Sequence, residues 1–449
     1  MVEMTEGRRL NDTRELAEKI VAYRLTSPSK LAQLEKLFLD YCGVAAAGAR
    51  TESARIVRQY LVRQGGAPEA TALGARQKLP ASSAAFINAV SEHSIEMDDV
   101  DVLALFHVGA PVISPALALA ELTGTSGKSF LEAAAAGIET MCRIGFAANP
   151  TLRDRGYHTT ATAGVFGGTA AAGRLLGLNG EQMASALGLA GAMAAGLMEM
   201  YGPDMQKRFN PGPAAQNAVT AARLAALGYC GAQTVLEGER GFFRAFVGRL
   251  PEKGWLDDFG GDAELPIEHK VYACARPIHT AIDAALGLRE SVMADEIAAI
   301  TVVRHPSWAS YHQIPSPLTY HDAQMSLPFA LALALVKGGA FFSDYSEEAL
   351  QNPAILRLSR MVQFATEATL PTTISCRVEL VLDSGRQVSY QVDRPKGSLD
   401  NPASTKEIAD KFRNLMGPDY QSAEALIALA RDIGNAKNVN ALMERLALL

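Results

Sequence analysis

Thr159–Leu178 reads TTATAGVFGGTAAAGRLLGL, a run of small residues with few charges. Each Gly costs about 1 kcal/mol relative to Ala inside a helix, so its recurrence here predicts helices packed at close approach. Gln182–Met198 and Pro213–Leu227 repeat the same composition. Upstream, residues 10–62 carry helical periodicity: Leu10, Leu16, Ile20 and Val21, then Leu31, Leu34, Leu37, Phe38 and Tyr41. Ser82–Val90 reads as a further helix, Pro115 opens another through Leu122, and Lys128–Phe146 follows the GTSG turn. Residues 1–260 are therefore predicted to be all-helical.

The texture changes after Gly260–Asp262. IEHKVYACA, EIAAITVVRH and ISCRVELVLDSGRQVSYQV are β-branched or alternating, and Ser384–Gly385 marks a hairpin. Helices at Pro277–Glu290 and Gln324–Lys337 interrupt them. Beyond the PKGSLDNP loop, helices return at Lys406–Met416, Ser422–Ile433 and Val439–Leu448. The expected fold class is mainly α: a large helical domain of residues 1–262 and 402–449, with an α+β lid of residues 263–401 inserted before the C-terminal helices. The cleft between two such units is a common place for a ligand.

At 449 residues, with 48% hydrophobic and 20% charged residues, the chain has an ordinary globular composition. A net charge of −6 argues against nucleic acid or an anionic membrane as partner. Five cysteines stand singly without metal-ligand spacing, which fits a reducing cytoplasm and suggests no iron–sulfur cluster. The charged N-terminus lacks the apolar core of a signal peptide. The uncharged runs Val102–Ala120 and Tyr157–Gly173 hold Gly, Pro, Thr and His, so buried helices are expected there, not membrane spans.

Titratable residues collect at four stations. His93–Pro115, HSIEMDDVDVLALFHVGAPVISP, places His93, Glu96, Asp98, Asp99, Asp101 and His107 ahead of an apolar helix, a density costly to bury that points to a chemical use, with the carboxylates orienting His93, His107 or a lysine, or simply capping a turn. His158 precedes a helix that Thr159 or Thr160 can cap, so its imidazole would sit neutral at a positive helix end, able to accept a proton. Lys207 and Arg208 precede a helix that Asn210 can cap, forming a carboxylate cradle or, more plainly, a solvated pair. Lys270 lies in HKVYACARPIH, where strand alternation would put Tyr272 on its face, with Arg276 and His279 following. DDVD has the wrong spacing for the aspartate-rich motif of prenyl-diphosphate enzymes, and no second acidic set faces it. No metal is expected. GxGxxG, P-loop and GxSxG patterns are missing from the sequence. His93, His269, His305, His312 and His321 read as structural or surface groups, and Ser326 as a helix cap.

HSIEMDDV…HVGAPVISPALALAE, GYHTTATAGVFG, the lysine before NPGPAAQNA, LEGERGFF, KVYACARPIHTAIDAA and KGSLDNPAS, in that order, resemble the MmgE/PrpD family over nearly the whole chain. The resemblance implies a homodimer with its active site between a helical domain and a lid, and chemistry without a metal or organic cofactor. The family includes 2-methylcitrate dehydratases, cis-aconitate decarboxylases and iminodisuccinate epimerases. Carried over by motif, His107, His158, Lys207 and Lys270 take the catalytic positions. From the reading of the residues themselves, Glu96, Asp99, Thr159, Arg208, Tyr272 and Arg276 are expected to bind substrate, with Glu96 and Asp99 orienting the bases.

Departures accompany the likeness. Glu96 stands where dehydratase and decarboxylase members resemble Asp, Val100 where they resemble Thr, Phe329 at a pocket Tyr, and Ala275 at a His of the decarboxylases. The expected activity is proton abstraction beside a carboxylate of a small di- or tricarboxylic acid. A citrate-like dehydratase is favoured, with an iminodisuccinate-type epimerase or a cis-aconitate-type decarboxylase as alternatives.

Overall fold

The computed structural model describes residues 11–101, 106–200, 204–417 and 420–448. Leu10 and the charged N-terminus, and Val102–Leu105 of the acidic stretch, lie outside them. The fold is mainly α, as expected. Small residues let the helices close on one another: Gly127–Ala148 packs along Gly164–Leu175, which packs on Pro211–Ala226, which in turn meets Ala81–Glu92. Pro28–Gly48 carries the helix Thr405–Met416, the first of the helices after the α+β segment, whose Phe412 ring lies against Gly43. Among the described helices none is long and apolar enough to cross a membrane.

A second apolar core is built from the His279–Arg289 and Leu327–Lys337 helices and a four-stranded sheet, with Val44, Ala47, Ile95, Met97 and Leu415 of the helical part joining it. Strand order is Val362–Thr366, Ile297–Arg304, Cys376–Leu382, Gln387–Val392, with only the first pair parallel. Cys376–Leu382 alternates buried and half-buried residues as its pattern predicts. Val362–Thr366, a short edge strand of half-buried and exposed residues directly after the Pro353–Met361 helix, was not expected from the sequence.

Several local expectations are corrected. Residues 228–260 form turns and a single π-helical turn, Phe243–Val247, instead of helix. IEHKVYACA contributes only the two-residue strand Glu268–His269, which pairs antiparallel with Asp99–Val100. This short ribbon stitches the acidic turn to Lys270. It is clamped from behind by Gly397, whose carbonyl accepts from the His269 N–H. Gly397 has φ 89°, and a Cβ there would stand 1.9 Å from the His269 carbonyl oxygen, so only glycine fits.

Candidate active site

The helix Ala81–Glu92 ends at His93, and the chain then turns through Glu96, which adopts a left-handed φ of 57°. A non-glycine residue there costs about 1–2 kcal/mol, a strain that persists only where surroundings hold it. Three cations do so: Lys207 Nζ donates to Oε1, Lys270 Nζ reaches Oε2 at 3.1 Å, and Arg208 lies at 3.8 Å. Lys411, from the Thr405–Met416 helix, anchors the same turn by donating to the Met97 carbonyl at 2.5 Å and pairing with Asp40 at 2.6 Å.

Asp98 is the hub. It accepts from His93 Nδ1 at 2.6 Å, from His107 Nδ1 at 2.9 Å and from Lys270 Nζ at 3.0 Å. His93, Asp98 and His107 bring their polar atoms within 4.8 Å of one another. Both imidazoles reach Asp98 through Nδ1 at hydrogen-bond distance, and its other oxygen is committed to an ammonium, so the trio reads as a hydrogen-bonded clamp. Asp99 instead braces backbone, accepting from the Val108 N–H at 2.7 Å and the Gly109 N–H at 2.8 Å. Any Cβ at Gly109 would meet the Asp99 and Glu92 carboxylates, which explains glycine at that position.

His158 is the N-cap of the short turn Thr159–Thr162, with no side-chain cap from Thr159 or Thr160. The Thr159 hydroxyl pairs with Asn149, while Thr160 Oγ1 accepts from the His107 N–H at 3.3 Å and ties the two histidine segments together. Asn210 caps nothing; its Nδ2 lies 3.1 Å from His158 Nδ1. Lys207 and Arg208 sit in the short helix Gln206–Phe209, not in a solvated loop.

These groups meet at one cavity of about 410 Å³. Its basic lining is His107, His158, Lys207, Lys270, Arg276 and His312, with Arg153 and Arg394 beside them and Glu96 the one carboxylate among the lining residues. An apolar lining faces them: Val100, Met198, Met200, Ala275, Met325 and Ile374. Arg153 lies 5.7 Å from the centre of the Trp308 ring, joining the helical wall to the α+β wall.

Burial sets the protonation states. His158 is pushed well below the usual imidazole range by burial and then by His93, His107 and Lys207, and His93 falls to about 4 for similar reasons. Burial would raise Glu96 and Asp98, but their cationic and imidazole partners outweigh it and hold both well below the carboxylate range. Lys207 is lowered to about 8 by burial, with Glu96 opposing and Lys270 adding to the fall. Lys270 goes the other way, because Asp98 and Glu96 overcome its burial. One wall of the cavity thus holds a firmly charged ammonium, a titratable ammonium and a neutral imidazole.

The MmgE/PrpD N-terminal domain matches residues 14–253 and the MmgE/PrpD C-terminal domain residues 272–434. The chain belongs to the MmgE/PrpD family. Its relatives include the cis-aconitate decarboxylase of Homo sapiens, 26% identical over 91% of this chain and 88% of that protein. The cis-aconitate decarboxylase of Aspergillus terreus is 28% identical over 93% and 92%.

Seen as an MmgE/PrpD protein, the chain brings His107, His158, Lys207 and Lys270 together, although they come from distant segments. Glu96 and Arg276 also line the cavity, Arg276 being held by Glu268 at 2.8 Å and by His279 at 3.0 Å. Asp99, Thr159, Arg208 and Tyr272 do not line it. Tyr272 turns away to Asp283, because the ladder ends before Lys270 and strand alternation does not extend to it. Arg208 is buried behind Glu96, donating to Gln324 at 3.3 Å.

Two of the departures from the family pattern, Val100 and Ala275, fall on the cavity wall. Phe329 does not: it is buried in the second apolar core beside Tyr345, on the helix that Ser326 caps. His93 and His312, read from sequence as structural or surface groups, belong to the site. His93 is bound to Asp98, and His312 lines the cavity in a left-handed conformation of φ 61°. The spacing of His93 from Asp98 was a usable signal; nothing local marked His312 or Asn210.

Proposed function

We propose that this protein is a lyase acting on a small di- or tricarboxylic acid by removing a proton from the carbon beside a carboxylate, most readily as a hydro-lyase of a citrate-like substrate. The observation that carries this reading is the convergence of His107, His158, Lys207, Lys270 and Arg276 on one cavity. Removing such a proton leaves an electron pair that the neighbouring carboxylate must hold as a multiply charged enediolate. Fixed cations in a site shielded from water stabilise that charge by several kcal/mol. Lys270 and Arg276 supply permanent charge, and Lys207 supplies a charge that it can also give up as a proton. An imidazole accepts the carbon proton, the pair forms the double bond, and the departing hydroxide takes a proton from the Lys207 ammonium. The 263–401 segment serves as the lid over this chemistry.

Decarboxylation of a cis-aconitate-like acid is a second reading, supported by the activity named for the relatives. Ala275 weighs against it, because it puts apolar surface where the decarboxylases resemble His, whereas Val100 departs from the dehydratases as well. An epimerase is the third reading, supported by two imidazoles on one cavity. Incubation with a panel of di- and tricarboxylates in D₂O, followed by NMR, separates them. Alkene formation with water release supports the hydro-lyase, CO₂ release the decarboxylase, and deuterium exchange with inversion the epimerase. If no member of the panel is altered, the proposal falls.

A further inference from the structure

His107 and His158 offer their ring nitrogens to very different neighbours. Nδ1 of His107 faces two oxygens, the Asp98 carboxylate at 2.9 Å and the Asp99 carbonyl at 2.6 Å. Both can only accept, so this nitrogen carries a proton whatever the charge of the ring. Nε2 is then the atom through which His107 gains or loses a proton.

Nδ1 of His158 instead faces the Asn210 side-chain amide at 3.1 Å. The amide could present either nitrogen or oxygen there, and its other contacts decide. The same Nδ2 lies 3.3 Å from the Leu197 carbonyl and 3.3 Å from the Met200 sulfur, while Oδ1 faces the Gln206 amide nitrogen at 3.5 Å. Reversing the amide would set two oxygens against each other beside Leu197. Nδ2 therefore donates, His158 Nδ1 accepts, and the ring proton of neutral His158 sits on Nε2.

We infer that Asn210 is a positioning residue that fixes His158 as the Nε2–H tautomer, opposite to the Nδ1–H tautomer that Asp98 and the Asp99 carbonyl impose on His107. The cavity thereby meets one imidazole as a proton donor and the other as a proton acceptor. Burial beside His93, His107 and Lys207 supports the neutral state of His158. This inference rests on the proton-transfer reading above and assigns its roles: His107 takes the carbon proton, and His158 donates a hydrogen bond to substrate oxygen.

Joint X-ray and neutron diffraction of the full chain in D₂O, without substrate, tests the tautomers directly. The wild type is expected to show a deuteron on Nε2 and none on Nδ1 of His158, and a deuteron on Nδ1 of His107. Asn210→Asp presents an acceptor to Nδ1, so a deuteron should appear there. Turnover of whichever acid the panel identifies should fall about 10²–10⁴-fold in kcat, with KM little changed. Asn210→Ala, which releases the ring without reversing it, should lose less.

A deuteron on Nδ1 of His158 in the wild type overturns the inference, as does an unchanged ring in Asn210→Asp or a reversed ring with undiminished kcat. The diffraction result needs no substrate. The expected tautomers together with an inert panel would sink the lyase reading while leaving the Asn210 assignment in place.

Discussion

Lys207 gives the sharpest link between burial and activity. Its ammonium is held by Glu96 yet lowered to about 8, because burial, with the nearby Lys270 and Arg208, outweighs Glu96 and Asp98. By the ordinary titration relation it is about 90% charged at pH 7 and about 10% charged at pH 9. Lys270, bonded to both Glu96 and Asp98, is shifted upward and stays charged across the same range. If the reaction needs the Lys207 charge, kcat/KM should level off below pH 8 and fall about tenfold per pH unit above it. Lys207→Arg keeps the charge to far higher pH and should move or erase that limb, though its planar head group should lower the plateau. Lys207→Met removes the charge altogether and should cost about 10²–10³ in kcat, or about 3–4 kcal/mol of transition-state stabilisation. Steady-state pH–rate profiles of the three proteins, with circular dichroism to verify folding, read all of this. A wild-type profile flat to pH 10, or a limb near pH 8 that survives in Lys207→Arg, refutes the assignment.

Stability should fall in acid. The folded state lowers His93 to about 4, so the unfolded chain binds the extra proton between pH 6.5 and 4, and folding weakens as pH falls through that window. This group alone contributes about 3 kcal/mol of loss by pH 4, and the depressed Glu96 and Asp98 add loss of the same sign below about pH 4.5. His93→Gln should lessen the acid slope of the thermal-midpoint profile between pH 7 and 4.5, the remainder lying with His158, His279 and His312, which burial lowers in the same direction; an unaltered profile would contradict the shift. Gly397→Ala forces a methyl onto the His269 carbonyl in a left-handed backbone, and should cost about 3 kcal/mol or more in denaturant unfolding while raising KM through displacement of Lys270. Gly385→Ala has φ 80° but meets no atom within 4 Å, and should cost only about 1 kcal/mol; equal losses in the two variants would rule out the clamp.

The helical half was legible because its signals are local. Small-residue runs, apolar periodicity and turn signals fix Gly127–Ala148, Gly164–Leu175 and Pro211–Ala226 without reference to distant chain. Strand Cys376–Leu382 was equally plain from its alternation. The same local rules failed at Tyr272, where alternation was extended past the end of a two-residue ladder, and at Thr159 and Asn210, whose capping chemistry serves other partners.

By itself, the sequence determined the mainly α class, the family, and four stations of titratable residues, one acidic and three basic. Tertiary structure decided what those stations are. Glu96 meets Lys207 across 111 residues and Lys270 across 174, and these unions set which ammonium titrates. Which nitrogen of an imidazole carries its proton, and whether an ammonium keeps its own, depends on partners and burial that only the folded chain supplies. Hydrogen bonding and desolvation act over a few ångströms of space, not over neighbouring positions in the sequence.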